Sequence, residues 1–166
     1  MNYEKVYIQK IKDGSTIKET IADFDIYCSA MPFKLYAEAK EPSKREWQDE
    51  HGDDEYIPAD GLKMKAYFMD VEFCCKGDKF STNEKINNFI KYVTGMDGSG
   101  AEMKMYCTWT KIGRQRIRFD KLNDDAKLIR DDEEGDILIF KITFKVNDPI
   151  TDIKPIIEND KVIRLG

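Results

Sequence analysis

Residues 67–95, YFMDVEFCCKGDKFSTNEKINNFIKYVTG, place a strand pattern directly before a helix pattern. In the strand pattern, apolar side chains alternate with acidic ones, as they do where one face of a β-strand is buried and the other is solvated. The apolar positions are Tyr67, Met69, Val71, Phe73 and Cys75, and the acidic positions between them are Asp70 and Glu72. Upstream apolar residues fall in the opposite phase, which predicts a β-bulge near Ala66.

The helix pattern carries its own start and stop signals. Ser81 and Glu84 have the spacing of a capping box, in which the hydroxyl and the carboxylate each accept a hydrogen bond from a backbone amide. The apolar side chains that follow recur at the spacing of one helix face, and they are Ile86, Phe89, Ile90 and Val93. Gly95 then supplies the left-handed residue that ends many helices. We expect this helix to pack on the sheet.

Strand patterns on both sides complete a β-rich fold. Alternation predicts strands at Lys5–Ile11 and around Thr16–Ile21, a hairpin within residues 101–119, and a closing strand at Ile137–Val146. The predicted buried face of the hairpin runs as far as Trp109. With 166 residues, 41% of them hydrophobic, the chain suits a single domain spanning residues 1–166. The predicted fold class is mainly β with one packed helix (α+β), an antiparallel β-sandwich or barrel.

Composition excludes several classes of function. The net charge of −5 argues against a general phosphate-binding surface, which normally needs a basic balance. No apolar run is long enough to span a bilayer, and the first twenty residues have no apolar signal-peptide centre, so we expect no membrane partner and synthesis in the cytoplasm. The four cysteines and one histidine lack zinc-site spacing. We therefore expect no metal and no cofactor.

Residues 38–61 differ from the rest of the chain because acidic side chains dominate them. We interpret this segment as a long charged flap that leaves the sheet and contacts a partner. Its large apolar residues, Trp47, Tyr56 and Ile57, are the expected anchors that hold it down. His51, the only histidine, is expected to be solvated in this loop. Residues 150–166 are predicted to form a short C-terminal arm or an extra strand.

Arg114, Arg116 and Arg118 alternate along the second hairpin strand, which predicts a row of guanidinium groups about 7 Å apart on one face. Such a row could bind a nucleic-acid backbone, contact the carboxylates of a neighbouring subunit, or protect an edge strand in solvent. A complementary acidic run follows at Asp131, Asp132, Glu133 and Glu134. A homo-oligomer assembled head to tail would bring the row and the run together.

Two other functions remain open at the level of sequence. A small β-rich module that binds a ligand or peptide would need an apolar pocket, for which Trp47, Tyr56 and Trp109 are candidates. A carboxylate-dependent hydrolase would need two acidic side chains at a fixed separation in a cleft, with flap residues such as Asp49, Glu50 or Asp53 in these roles. The glycines of TGMDGSGAE follow a helix, so they do not form a phosphate-binding loop.

The order of elements after residue 62 resembles that of bacteriophage tail proteins, particularly the N-terminal module of siphovirus distal tail proteins and the related tail-tube fold. Four successive features carry the resemblance: the strand KAYFMDVEFCCKG, the helix NEKINNFIKYVTG, the hairpin AEMKMYCTWTKIGRQRIRF and the closing strand ILIFKITFKVNDPI. From the first to the last they span about 90 of the 166 residues.

The resemblance implies a tail-tube-like β-sandwich or barrel with one flanking helix, assembled as a hexameric ring through which DNA passes. It implies a virion structural protein without catalytic residues or cofactors. Its partners would be itself and other tail proteins, first in the host cytoplasm and then in the virion tail. The flap would reach the next subunit, and the arginine row would face a neighbour or the lumen. The charged flap itself has no match in the family, and the tail-tube, distal-tail and tail-completion roles are not separated.

Overall fold

The computed structural model describes residues 5–12, 15–77, 79–123, 127–131 and 135–166. Its helices are α1 (Thr20–Phe24) and α2 (Lys79–Thr94). Its strands are β1 (Val6–Lys10), β2 (Lys18–Glu19), β3 (Ile26–Ala30), β4 (Lys44–Arg45), β5 (Asp54–Glu55), β6 (Tyr67–Gly77), β7 (Met103–Cys107), β8 (Ile112–Leu122), β9 (Lys127–Asp131), β10 (Gly135–Val146), β11 (Pro155–Glu158) and β12 (Lys161–Leu165).

One curled antiparallel sheet forms most of the fold. Its strands lie in the order β2-β1-β7-β8-β10-β6-β3, and together they form a half-barrel. Strand β8 pairs with one end of β10, and β9 pairs with the other end. The predicted mainly β, antiparallel fold with a packed helix is confirmed. The β1 strand matches its prediction, whereas the second predicted strand is only two residues long because α1 begins at Thr20.

The long pair β6–β10 supplies the centre of the core. The five predicted inward side chains of β6 are at most 6% exposed, and Phe140, Ile142, Phe144 and Val146 of β10 are at most 2% exposed. The alternation therefore gave the correct buried face of both strands. The bulge predicted near Ala66 is wrong, because β6 begins at Tyr67 and the residues before it leave the sheet.

Helix α2 packs against the inner face of the half-barrel. Phe89 and Val93 are fully buried, Ile86 and Ile90 are partly buried against the same core, and the Phe89 ring lies 5.0 Å from that of Phe73. The predicted apolar stripe is confirmed. The predicted capping box is not, because α2 begins at Lys79 and Ser81 lies inside its first turn.

Gly95 ends α2 as predicted. Its φ is +78°, and its amide donates to the carbonyl of Tyr92 over 3.0 Å. A Cβ at this position would lie 2.5 Å from the backbone carbonyl of Gly100. Both the left-handed backbone and the close approach therefore require glycine here.

The C-terminal residues form a β-hairpin, β11–β12, as the predicted arm or extra strand. Ile153 and Leu165 fasten it to the outer face of the sheet by packing against Tyr106. All four cysteines are free and buried. Of the two helices in the described residues, neither has the length and apolar character needed to cross a membrane.

Candidate functional site

Between β3 and β6 the chain leaves the sheet and forms a separate two-stranded ribbon. At its base, the Lys40 amide donates to the Lys63 carbonyl and the Lys65 amide donates to the Glu38 carbonyl, each over 2.7 Å. Farther out, β4 pairs with β5. The predicted flap is thus a regular β-ribbon, here called the arm (residues 38–65). Its distal part, residues 41–57, is called the arm tip.

The large apolar residues of the arm tip are uncovered. Trp47 is 46% exposed, Tyr56 is 74% exposed and Ile57 is 62% exposed. The prediction that they anchor the flap is therefore wrong. The physical reason is the ribbon itself, because within the described sheets β4 and β5 pair only with each other and have no sheet face to pack on. Exposed large apolar side chains that share one segment commonly mark an interaction surface.

The arm tip also concentrates negative charge. It contains seven acidic and two basic side chains, a net charge of −5, which equals that of the whole chain, so the other residues sum to zero. Lys44 Nζ lies 3.7 Å from Asp53, 3.6 Å from Glu41 and 3.8 Å from Glu46. The attraction of these carboxylates, Asp53 first, raises the pKa of Lys44. The tip is therefore an acidic surface with exposed apolar groups.

The residues predicted for the hydrolase and pocket alternatives lie at the protein surface. Asp49, Glu50 and His51 are all exposed at the end of the ribbon, where no cleft encloses them. Trp109 is 68% exposed, because β7 ends at Cys107 and this residue lies in the following turn instead of on the buried face. Side chains that are mostly exposed do not line an enclosed apolar pocket.

The arginine row is broken by a bulge in β8. Met105 of β7 lies opposite Arg114, but Met103 lies opposite Ile117, so β8 has one extra residue between the two pairs. Arg116 occupies that bulge with φ +57°. The extra residue puts Arg114 on the inner face, and the predicted common face for the three arginines is wrong.

Arg114 is buried, with 2% of its surface exposed. Its Nη1 donates to the Gly113 carbonyl over 2.9 Å and to Asp152 Oδ1 over 3.3 Å, and its Nη2 donates to the Lys34 carbonyl over 3.4 Å. Asp152 precedes the C-terminal hairpin, and Lys34 precedes the arm. Arg114 therefore joins three parts of the chain and is not available to a subunit or to DNA.

The other two arginines are more open. Arg116 Nε lies 3.6 Å from Glu102, and Arg118 Nη1 lies 3.2 Å from Asp120. Of the acidic run predicted to complement them, Asp132, Glu133 and Glu134 lie outside the described residues. Asp131 ends β9, and its side chain also lies outside the described part of the structure. Contact between the row and the run stays a prediction.

A mixed patch that the sequence patterns did not single out lies on the outer face of β6, β8 and β10. Lys145 stands between Phe68 and Arg118 in the sheet register, and Lys121 lies beside them, opposite Thr143. Phe68 is 53% exposed, with Lys145 Nζ 5.7 Å from its ring centre. The available signal was an aromatic residue on the outward, otherwise polar face of β6. We call Phe68, Arg118, Lys121 and Lys145 the outer patch.

Lys10 is an unusual buried charge that the sequence patterns also missed. It lies on β1 and is 2% exposed, with its Nζ 4.6 Å from the centre of the Tyr92 ring and without a hydrogen-bond partner. Burial lowers the pKa of Lys10 to about 8, against the opposing attraction of Asp97. The group is sealed in the core, so it affects stability more directly than binding.

Within the described residues, no group of three or more histidine, cysteine, aspartate or glutamate side chains is arranged to hold a metal ion. No protein-family model matches the chain, and no curated protein sequence matches it either.

Proposed function

We propose that this chain is a non-enzymatic structural subunit that assembles with copies of itself through the arm. The observation that carries the proposal is the arm tip, which presents Trp47, Tyr56 and Ile57 to solvent on a ribbon that joins no other sheet of the described residues. Burying a side chain of this size contributes about 1.5–3 kcal/mol, and a partner surface would supply part of that for each of the three.

The assembly we propose is a ring or tube of a bacteriophage or prophage tail, of about six copies if it closes as a cyclic oligomer. Support for this class comes from the resemblance of four segments between residues 65 and 150 to tail proteins, and a β half-barrel with one packed helix is compatible with it. In this proposal the other partners are tail proteins, assembly occurs in the bacterial cytoplasm, and DNA passes through the finished tail. A gene located between tape-measure and baseplate genes is the expected genomic setting.

Native mass spectrometry and negative-stain electron microscopy over a range of protein concentrations test the assembly. We expect the wild-type chain to form closed rings at high concentration. The combined change Trp47→Ser, Tyr56→Ser and Ile57→Ser should leave it monomeric, because the apolar contacts of the arm tip are removed. Trp109→Ser is the matched control, since it removes an exposed tryptophan outside the arm. A wild-type chain that stays monomeric at every concentration contradicts the proposal.

The passage of DNA is tested separately at Arg116, the most exposed arginine of the predicted row. If Arg116 faces the lumen, Arg116→Glu should weaken DNA binding by assembled rings and leave ring formation intact. If it contacts a neighbouring subunit, the same change should impair assembly without a separate effect on DNA binding. Filter binding and electron microscopy of one preparation distinguish the two.

A further inference from the structure

We infer that the arm tip of one copy docks on the outer patch of a second copy. The inference deepens the proposed assembly and rests on it, because it names the surface that receives the arm. Within the described residues, no hydrogen bond or ion pair joins the arm tip to the outer patch of the same chain. The two surfaces are therefore both open to a neighbouring molecule.

Charge is the first argument for this pairing. The tip carries a net charge of −5, and its carboxylates Asp49, Glu50, Asp54 and Glu55 form no ion pair with a described residue. The outer patch also borders two carboxylates, but Asp70 accepts from the Thr143 hydroxyl and Asp120 pairs with Arg118. Lys121 and Lys145 form no ion pair with a described residue, so they carry the unpaired charge of this surface. Opposite charges left open on two surfaces favour their encounter and fix the orientation of the complex.

Apolar character is the second argument. Phe68 exposes half of its surface near the start of β6, and Lys145 covers part of its ring. The arm tip has the same combination, because Arg45 lies 5.7 Å from the centre of the Trp47 ring. Contact between the aromatic groups of the two surfaces would bury apolar area while the carboxylates of the tip meet the lysines around Phe68. Aromatic and charged groups in this arrangement are typical of interface centres.

The pairing has a geometric consequence. The arm tip and the outer patch are different surfaces, so their contact joins copies head to tail. An open chain of copies then keeps one free tip at one end and one free patch at the other until the ring closes. This makes the proposal testable by mixing two defective chains.

The test uses two full-length double variants. The patch variant carries Lys121→Glu and Lys145→Glu, and the tip variant carries the neutral changes Asp49→Asn and Glu50→Gln, so the altered tip does not attract the altered patch. Lys91→Glu on α2, an exposed lysine away from both surfaces, is the control. Circular dichroism and thermal melting establish that each variant folds, and sedimentation velocity then measures association. We expect each double variant to raise the dissociation constant about tenfold or more, and the control to leave it unchanged.

Mixing the two variants supplies the decisive readout. The patch variant keeps a normal tip and the tip variant keeps a normal patch, so an equimolar mixture should form heterodimers and nothing larger. Association of the wild-type chain should also weaken as salt rises, because the contact is charged. Larger oligomers in the mixture overturn the inference.

Two outcomes separate this inference from the proposed function. If the patch variant assembles like the wild type while the tip variant is monomeric, the arm docks elsewhere, for example along the free edge of β3. In that case the inference fails and the proposed assembly stands. If the wild-type chain does not associate at all, both fail.

Discussion

Replacing Lys10 with methionine should stabilise the protein. It should also remove the part of the pH dependence of its stability that comes from the titration of Lys10. The side chain of Lys10, at the end of β1, is buried against Tyr92 of α2. Its ammonium group lacks a hydrogen-bond partner among the described residues. Methionine has a similar unbranched shape and no charge to desolvate, so it should fill the same space. The change isolates the cost of a single buried charge.

The magnitude follows from the pKa of Lys10, which burial lowers from 10.5 to about 8. At about 1.4 kcal/mol for each tenfold change in proton affinity, burying the charged form costs roughly 3 kcal/mol. The contact of Lys10 with the Tyr92 ring offsets about 1–2 kcal/mol of this, and methionine loses that contact. We therefore expect Lys10→Met to increase the free energy of unfolding by about 1–2 kcal/mol at pH 7.

The sign of the pH dependence is fixed by the direction of this pKa change. Because the folded pKa of Lys10 lies below its ordinary value, the wild-type protein should gain stability as pH rises from about 8 towards 10.5. Asp97 faces the same ammonium group and is already ionised in this range. Burial raises the pKa of Cys75 to about 11 and that of Cys28 to about 12, which opposes the gain above pH 9. Since Lys10→Met keeps both thiols, the difference between the two proteins isolates Lys10.

Urea denaturation at several pH values between 7 and 9.5 measures this difference. The stability advantage of Lys10→Met should be largest at pH 7 and should shrink above pH 8. Lys91→Met, at an exposed position of α2, should change neither the stability nor its pH dependence. A Lys10→Met protein that is less stable than the wild type at pH 7, or an advantage that does not change with pH, would refute the argument.

Three further predictions concern the packing of the half-barrel. Arg114→Met should lower the free energy of unfolding by about 2–4 kcal/mol in urea denaturation, because it removes the buried hydrogen bonds that join β8 to Asp152 and to the Lys34 carbonyl, whereas Arg116→Met should change it by less than about 0.5 kcal/mol. Gly95→Ala should lower the free energy of unfolding by about 2 kcal/mol or more in urea denaturation, because its Cβ meets the backbone of the following loop. Gly98→Ala has the same left-handed backbone but open space around the Cβ, so it should lower the free energy of unfolding by less. Phe89→Ala should cost about 3–5 kcal/mol in urea denaturation, since it empties the contact between α2 and β6.

The periodic parts of the fold could be predicted because their signals are local. In β6 and β10, alternate side chains must lie on opposite faces, so the apolar set identified the buried face before any partner strand was known. The stripe of α2 follows from its own turn geometry in the same way. The start of α2 was misplaced because an adequate capping pattern at Ser81 lies two residues after the true beginning at Lys79.

The prediction that the three arginines share one face was wrong for a reason that the local sequence pattern does not show. Alternation along β8 holds only while β8 and β7 pair residue for residue, and the extra residue at Arg116 breaks that register. The bulge turns Arg114 inward to join Asp152 and Lys34, which are distant along the chain. The pairing between β7 and β8 therefore decided whether Arg114 was exposed at the surface or buried with hydrogen bonds to distant segments.

The sequence by itself determined the β-rich fold, the buried faces of β6 and β10, the apolar stripe of α2 and the acidic character of the arm, because composition and periodicity are properties of neighbouring residues. Only the tertiary structure decided that the arm stands away from the sheet with Trp47, Tyr56 and Ile57 exposed, and that Phe68 and Lys145 meet Arg118 on the outer face. These features depend on strand order, register and curl, which bring together residues that are far apart in the chain.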